Sequence, residues 1–137
     1  MIGVDFGSRR IGLACSDPTG TIATPLQVLE RAGDHGADHR AIVDVAHENE
    51  ADRIIVGLPL SLSGDEGPAA RAVLTEVEEL RTVAGAALQV DVHDERFTTV
   101  TAERSLVQAR MRREARRRIR DAVAAAVMLQ SYLEASR

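Results

Sequence analysis

The hydrophobic pattern at the start of the chain has a period of two, which predicts a β-strand over residues 2–7. Its apolar side chains alternate with two glycines and one carboxylate, in the order Ile2, Gly3, Val4, Asp5, Phe6, Gly7. One face of the strand is therefore apolar, and the other presents Asp5 between residues that lack side chains. Because burying an unpaired carboxylate is costly, Asp5 is either a ligand-binding residue or the cap of the following turn. This segment alone leaves both interpretations open.

Two more strands are predicted before any helix. Residues 11–16 form a mostly apolar run after a polar turn, and residues 17–20 (Asp-Pro-Thr-Gly) carry a clear turn signal. Residues 21–29 predict a third strand, in which Pro25 favours an edge position because proline cannot donate a ladder hydrogen bond. The first 29 residues therefore predict an antiparallel meander.

Helical and strand patterns alternate after the meander. Residues 33–38 predict a polar loop and the segment after it a helix, while residues 54–58 are wholly apolar and predict a strand of the kind buried in parallel sheets. Gly67-Pro68 opens a helix with one apolar face. The polar side chains expected to face water on this helix are Glu76, Glu78, Glu79 and Arg81.

The last third of the chain predicts a strand over residues 88–93, a helix over 98–109 and a long apolar helix over 119–133. The meander followed by strand-helix alternation predicts one α/β domain spanning residues 1–137. Its five-stranded mixed sheet combines the antiparallel meander with parallel strands, and helices cover both faces.

Charge is unevenly distributed along the chain. The formal net charge is -4, and all 17 basic residues are arginine. Seven arginines stand against Glu114 in one short block, whose charge of +6 leaves -10 for the remainder: Arg110, Arg112, Arg113, Arg116, Arg117, Arg118 and Arg120. Such a block on an acidic protein is typical of a polyanion-binding surface, although a solvated helix face or a protein-docking arm would have the same composition.

Composition also disfavours several classes of protein. The only aromatic residues are Phe6, Phe97 and Tyr132, too few for a protein that stacks the bases of single strands. A single cysteine excludes an internal disulfide, and no apolar run is long enough to cross a bilayer. Since the first predicted strand already includes Ile2, we expect no signal peptide and a soluble, cytoplasmic protein.

Three positions combine a carboxylate with the heart or end of a predicted element: Asp5, the Asp94-Glu95 pair and Asp121. Singly, each has an ordinary explanation, such as a solvated strand exit or a favourable place in a helix dipole. Together they indicate a site for Mg²⁺ or Mn²⁺, which prefer oxygen ligands and support phosphodiester cleavage. His93 beside Asp94 is expected to be a surface histidine, because the other histidines show no ligand spacing with it.

Four segments, in order, resemble the YqgF (RuvX) family over essentially the whole chain. They are residues 2–17 (IGVDFGSRRIGLACSD), 55–64 (IVGLPLSLSG), 94–99 (DERFTT) and the closing Asp121 with its alanine-rich helix and residues 129–133 (LQSYL). The resemblance implies an RNase H-like fold and a nuclease that processes the 5′ end of pre-16S rRNA. The same family was earlier labelled a Holliday-junction resolvase by analogy.

The resemblance also implies roles for residues. The metal-binding and catalytic carboxylates of such a fold would be Asp5, Glu95 and Asp121, with Asp94 in reserve for the second position. Arg110 and Arg120 depart from the family pattern, which more often has a glycine and an apolar residue at those places. Neither departure removes a proposed ligand.

The expected partner is nucleic acid, pre-rRNA ahead of branched DNA, and no membrane. Two alternatives to an rRNA nuclease stay open, namely a resolvase acting on DNA junctions and a non-cleaving nucleic-acid-binding or ribosome-assembly factor. The sequence also leaves a monomer and a weak homodimer open.

Overall fold

A computed structural model describes residues 1–61, 63–95 and 120–136, with the side chains of residues 120 and 121 outside that description. The helix predicted over residues 98–109 lies outside the described residues. In chain order the elements are β1 (Ile2–Phe6), β2 (Arg10–Ser16), β3 (Ala23–Glu30), α1 (His35–Glu48), β4 (Arg53–Leu58), α2 (Pro68–Ala84), β5 (Gln89–Asp94) and α3 (Arg120–Ala135). Within the described ranges, no helix is both long enough and apolar enough to cross a membrane.

The five strands form one sheet in the order β3-β2-β1-β4-β5. β1 pairs antiparallel with β2, and β2 pairs antiparallel with β3, so the predicted meander is confirmed. β4 is parallel to β1 on its other side, and β5 is parallel to β4. β3 is an edge strand, as Pro25 predicted, and its pairing with β2 shifts register next to that proline. The mixed five-stranded sheet is therefore confirmed.

Helices cover both faces of this sheet, as predicted. The even-numbered residues of β1 and β4, including Ile2, Val4, Ile54 and Val56, are buried in a core shared with α1 and α2. Ile55 lies in a second core formed with α3. A Cβ added at Gly3 would lie 2.9 Å from Leu129 Cβ, so the glycine lets α3 approach the central strand closely.

The start of α1 differs from the expected loop over residues 33–38. The helix begins at His35, and the side chain of Asp34 accepts a hydrogen bond from the Gly36 N–H as the N-cap. The Gly33 and Gly36 signals favoured a loop, but only Gly33 takes a positive φ, of 80°. Asp34 satisfies one of the free N–H groups of the first turn, so the helix starts earlier than the hydrophobic spacing indicated.

Glu76 was expected to face water, and that expectation is wrong. Its side chain is buried, with the residue only 5% exposed. Glu76 lies three residues after Val73 and four before Leu80, so it falls on the same buried stripe of α2. Its carboxylate accepts two hydrogen bonds from the Arg31 guanidinium, which explains how a charge is tolerated there.

Candidate active site at the carboxyl ends of the central strands

Asp5 lies near the end of the central strand, on the face that α3 covers. Alternation places Asp5 on the same face as Gly3, which contacts Leu129 and Ala125 of α3. The residue is half-buried and pairs in register with Gly12 of β2. The carboxylate therefore starts from a rigid strand with neighbours on both sides, which limits where it can point.

Glu95 follows β5 directly, and its carboxylate lies over Gly57 of β4. A Cβ added at Gly57 would lie 3.2 Å from Glu95 Cδ, closer still to Glu95 Oε1, and 3.1 Å from Met128 Cγ on α3. The carboxylate thus occupies the space that a side chain at residue 57 would fill, between the sheet and α3. The glycine of the GLP segment is needed here for close approach rather than for an unusual backbone angle.

The pKa of Glu95 depends on its interaction with Asp5. Burial raises the pKa of the Glu95 carboxyl, and the negative charges of Asp5 and Asp94 raise it further. Two carboxylates contributed by strands on either side of β4 therefore share one neighbourhood. A bound cation would stabilise the ionised form of both, so the donor set fits a hard divalent ion.

Asp94 was the reserve for Glu95, and the sheet favours Glu95. His93 contacts Ser131 and Tyr132 of α3, so the alternation of β5 turns Asp94 toward the opposite face. Glu95 lies beyond the end of the strand, where the chain can bring its side chain back over Gly57. Asp94 contributes its charge to the pKa of Glu95 from close by.

The direction of α3 follows from its contacts with β4. Arg53, at the start of β4, donates a hydrogen bond to Tyr132 Oη late in α3, whereas Gly57, near the end of β4, faces Met128. The helix therefore runs antiparallel to β4 and, by extension, to β1. Its first turn, which includes Asp121, points toward the end of the sheet where Asp5 and Glu95 lie.

The third predicted carboxylate, Asp121, can be placed only by its backbone. It precedes Ala125 by four residues, so it lies one turn closer to the site on the helix face that packs over Gly3. Among the side chains that the structure describes, no three His, Cys, Asp or Glu groups are arranged to hold a metal ion. The set of Asp5, Glu95 and Asp121 therefore stays a prediction, with Asp121 as the member outside the described side chains.

His93 is half-buried rather than a surface histidine. One ring nitrogen, Nε2, forms a 3.0 Å hydrogen bond with Ser131 Oγ, and the ring packs edge-on against Tyr132. Burial lowers the pKa of the imidazole, and the charge of Asp94 opposes that shift. The expectation of a surface residue was wrong because α3, distant in sequence, covers this face of β5.

The predicted arginine surface lies mostly outside the described residues. Arg120 begins α3, but its side chain and the other six arginines, Arg110, Arg112, Arg113, Arg116, Arg117 and Arg118, are not described. In the sequence, the other six arginines precede the first turn of α3. Their contact with nucleic acid stays a prediction.

Sequence comparison gives consistent results over the whole chain. A family model described as "RuvX: Holliday junction resolvase" matches residues 1–135. A protein of Rhodococcus opacus (strain B4) named "Putative pre-16S rRNA nuclease" is 41% identical over 136 residues, which cover 97% of this chain and 76% of that protein. A protein of the same name from Desulforudis audaxviator (strain MP104C) is 40% identical over 133 residues, covering 97% of this chain and 92% of that one.

Solved structures share the fold at much lower identity. Thermus thermophilus RuvC has a TM-score of 0.57 and 17% identity, with 99% of this chain and 97% of that chain covered. The fowlpox virus Holliday junction resolvase has a TM-score of 0.59 and 13% identity, with 98% and 99% covered. These likenesses support the RNase H-like architecture that the sheet order already indicates.

Proposed function

The chain belongs to the RuvX family, and from that membership we propose that it is a divalent-metal-dependent endonuclease that hydrolyses phosphodiester bonds in pre-16S rRNA. The observation that carries the proposal is the Glu95 carboxylate, held over Gly57 beside Asp5. A partly buried carboxyl with a raised pKa next to another acid is typical of a functional site. It lies at the carboxyl ends of the parallel strands, where α/β sheets commonly bind their ligands.

Asp5 and Glu95, joined by Asp121, would hold the ion. Mg²⁺ or Mn²⁺ bound there would supply the activation of a water and the stabilisation of the leaving oxygen in phosphodiester cleavage. The protein's own contribution is geometry: β1 fixes Asp5, the Gly57 gap fixes Glu95, and α3 carries Asp121 toward the same end of the sheet. Met128 and the packed body of α3 shield the inner side of the Glu95 carboxylate.

The proposed substrate is inferred from the relatives rather than from the geometry around Asp5 and Glu95. Proteins about 40% identical over nearly the whole chain carry the pre-16S rRNA nuclease name. The family description instead names Holliday junctions, which makes branched DNA the second candidate. The arginine block before α3 would hold the phosphates of either polymer, because such contacts carry no sequence information.

Cleavage assays with paired variants test this proposal. Wild-type protein should cut a precursor rRNA fragment with Mg²⁺ or Mn²⁺, and both Asp5→Asn and Glu95→Gln should abolish cutting while RNA binding persists. Asp91→Asn is the matched control, since Asp91 is a carboxylate on β5 that pairs with Arg53 near the far end of the sheet. Its activity should equal that of wild type.

The outcomes separate the candidate functions. Cleavage of a four-way DNA junction but not of the RNA would replace the rRNA substrate with branched DNA. Binding of both without cleavage by wild type, with either metal, would favour the non-cleaving factor. Cleavage that survives in Asp5→Asn would remove the carboxylate site from the reaction.

We also propose that the protein is cytoplasmic and that it is a monomer or a weak homodimer. Symmetric cutting of a junction requires two active sites related by a twofold axis, whereas trimming one rRNA strand does not. Sedimentation of the protein with and without RNA measures this directly. A tight dimer in the absence of nucleic acid would contradict the monomeric form and favour junction resolution.

A further inference from the structure

A buried ionic cluster supports the other side of β1, and the nuclease mechanism leaves it unexplained. Arg31, the residue after β3, donates from Nη1 to Glu76 Oε1 at 2.7 Å and from Nη2 to Glu76 Oε2 at 2.8 Å. It also donates from Nη1 to Asp38 Oδ2 at 3.3 Å. His39 is fully buried, and its Nε2 lies 2.9 Å from Glu76 Oε1. Side chains of α1 and α2 thus surround the guanidinium of Arg31.

This cluster contacts the segment that carries Asp5. The Arg31 Nε donates a 3.0 Å hydrogen bond to the carbonyl of Gly7, and the guanidinium lies over the ring of Phe6 at 5.3 Å. His39 packs edge-on against the same ring, with centroids 5.9 Å apart. Phe6 and Gly7 directly follow Asp5, so the cluster holds the strand end from the face opposite the carboxylate.

The turn after β1 is fixed by the same arginine. The Arg31 N–H donates to the carbonyl of Arg9 at 2.9 Å, and the Gly7 N–H donates to the carbonyl of Arg10 at 3.0 Å. A Cβ at Gly7 would overlap that Arg10 carbonyl, so residue 7 accommodates no side chain in this turn. Two of these bonds come from Arg31, through its N–H and its Nε, and the third closes the turn between Gly7 and Arg10, so hydrogen bonds constrain the backbone that follows Asp5.

Stability alone is a weak explanation for this arrangement. Replacing a buried ion pair with apolar groups of similar size is often neutral or stabilising. The Glu76 and Asp38 side chains are 7% and 3% exposed, and His39 Nδ1 is buried with no hydrogen-bond partner among the described residues. A cluster with such desolvation costs is better explained by the geometry that it enforces, and the bidentate Arg31–Glu76 pair is a rigid geometric element.

We infer that Arg31, held by Glu76, is a positioning residue that fixes the end of β1 and thereby the direction of the Asp5 carboxylate. It acts through the Phe6 ring and the Gly7 carbonyl and touches neither metal nor substrate. The inference rests on the proposed function, since it assigns a purpose to the orientation of Asp5. Lysine at residue 31 would keep the charge but lose the bidentate contact and the Nε donor to Gly7.

The test compares Arg31→Lys with Arg53→Lys. Arg53 also donates to two side chains, Tyr132 Oη and Gln89 Oε1, but it lies at the opposite end of the sheet. We expect Mn²⁺ affinity, measured by titration calorimetry, to fall at least tenfold in Arg31→Lys and to stay at the wild-type value in Arg53→Lys. In cleavage assays kcat should fall in Arg31→Lys while KM for nucleic acid is unchanged, because the phosphate-binding arginines are untouched.

Hydrogen exchange supplies a readout without metal or substrate. The Gly7 amide, bonded to the Arg10 carbonyl, should exchange at least tenfold faster in Arg31→Lys, with the β4 amides unchanged. If Arg31→Lys does not fold, Glu76→Gln keeps the side-chain shape and one carbonyl acceptor and should show the same changes at smaller size.

Failure of this inference is distinguishable from failure of the nuclease proposal. Wild-type protein that neither binds Mn²⁺ nor cleaves overturns both. Wild-type protein that binds Mn²⁺, beside a folded Arg31→Lys variant of equal affinity and equal Gly7 exchange, overturns only the positioning role. Equal losses in Arg31→Lys and Arg53→Lys also overturn it, since they would reflect general destabilisation.

Discussion

Replacing Gly57 with alanine is expected to impair the candidate active site without unfolding the protein. Gly57 is a buried residue of β4 paired with His93, and its φ is not positive, so the strand backbone accommodates alanine. The new methyl group would overlap the Glu95 carboxylate and press on Met128 Cγ at 3.1 Å. The Glu95 carboxylate is the end of a flexible side chain and can move, and the buried Met128 Cγ needs to give by only a few tenths of an ångström, so we expect the sheet to remain.

The magnitudes of the two effects differ. Restoring van der Waals distance requires the Glu95 carboxylate to retreat by about 1 Å. A misplacement of that size in a reacting centre costs about 100-fold in rate, which corresponds to about 2.7 kcal/mol of activation free energy. An extra methyl group in a packed site costs about 1 kcal/mol, and the lost backbone freedom of glycine in the unfolded chain offsets about half of that. The melting temperature should therefore change by less than about 4 °C.

The assay measures kcat with Mn²⁺, Mn²⁺ affinity and thermal unfolding of the same preparations. Gly36→Ala is the matched control, because its methyl would lie 3.2 Å from the exposed Arg40 side chain and 3.6 Å from Asp34 Oδ1, at the start of α1. Wild-type activity in a folded Gly57→Ala variant would refute the placement of Glu95 at the reacting centre. A loss of folded protein as large as the loss of activity would also refute the reasoning, since the backbone would then have given way.

Three further predictions address the arginine block, helix packing and acid stability. Changing Arg116, Arg117 and Arg118 to alanine should weaken nucleic-acid binding and flatten the slope of log K against log salt by about 2–3; an unchanged slope would remove them from the interface. Gly3→Ala should destabilise the protein by about 1–3 kcal/mol in urea unfolding, because its methyl would lie 2.9 Å from a side chain and 3.2 Å from a carbonyl of α3; a loss below about 0.5 kcal/mol would contradict this packing. Backbone hydrogen bonds and a neighbouring hydroxyl lower the pKa of Asp17 from 3.8 to about 2, so its stabilising effect is present above the unfolded value and is lost as pH falls through 2. Asp17→Asn should accordingly melt below wild type at pH 7 and match it near pH 2, and a pH-independent difference in melting temperature would contradict the assignment.

Local sequence pattern predicted the sheet well because period and turn signals are themselves local. The alternation around Asp5 and the proline of β3 fixed which residues face a helix and which strand lies at the edge. Burial of polar side chains was less predictable. Glu76 shares a stripe with Val73 and Leu80, and that spacing was a usable signal. Its partner Arg31 lies 45 residues away, and no periodicity identifies such a pair.

In the candidate site, too, features set by neighbouring residues could be predicted, whereas contacts between residues far apart in the sequence could not. Asp5 stood out because a carboxylate in a core strand is costly. Glu95 was predicted ahead of Asp94 from the family resemblance, and what the sequence did not show is that β5 ends at Asp94 and that the Glu95 carboxylate lies over Gly57 of the neighbouring strand. His93 was misplaced for a related reason, since its hydrogen bond to Ser131 spans 38 residues.

β1 lies between two packing environments, one on each face of the sheet, that different parts of the chain form. On one face, glycines at positions 3 and 57 admit α3 and the Glu95 carboxylate close to the sheet. On the other face, the Phe6 ring rests against Arg31 and His39. Asp5 and Phe6 are adjacent residues on opposite faces, so a rotation of the strand that loosens one contact must displace the other. The position of the carboxylate therefore depends on the packing beneath it as well as on the acids around it, and Arg31→Lys or Glu76→Gln should alter metal affinity without changing any proposed ligand.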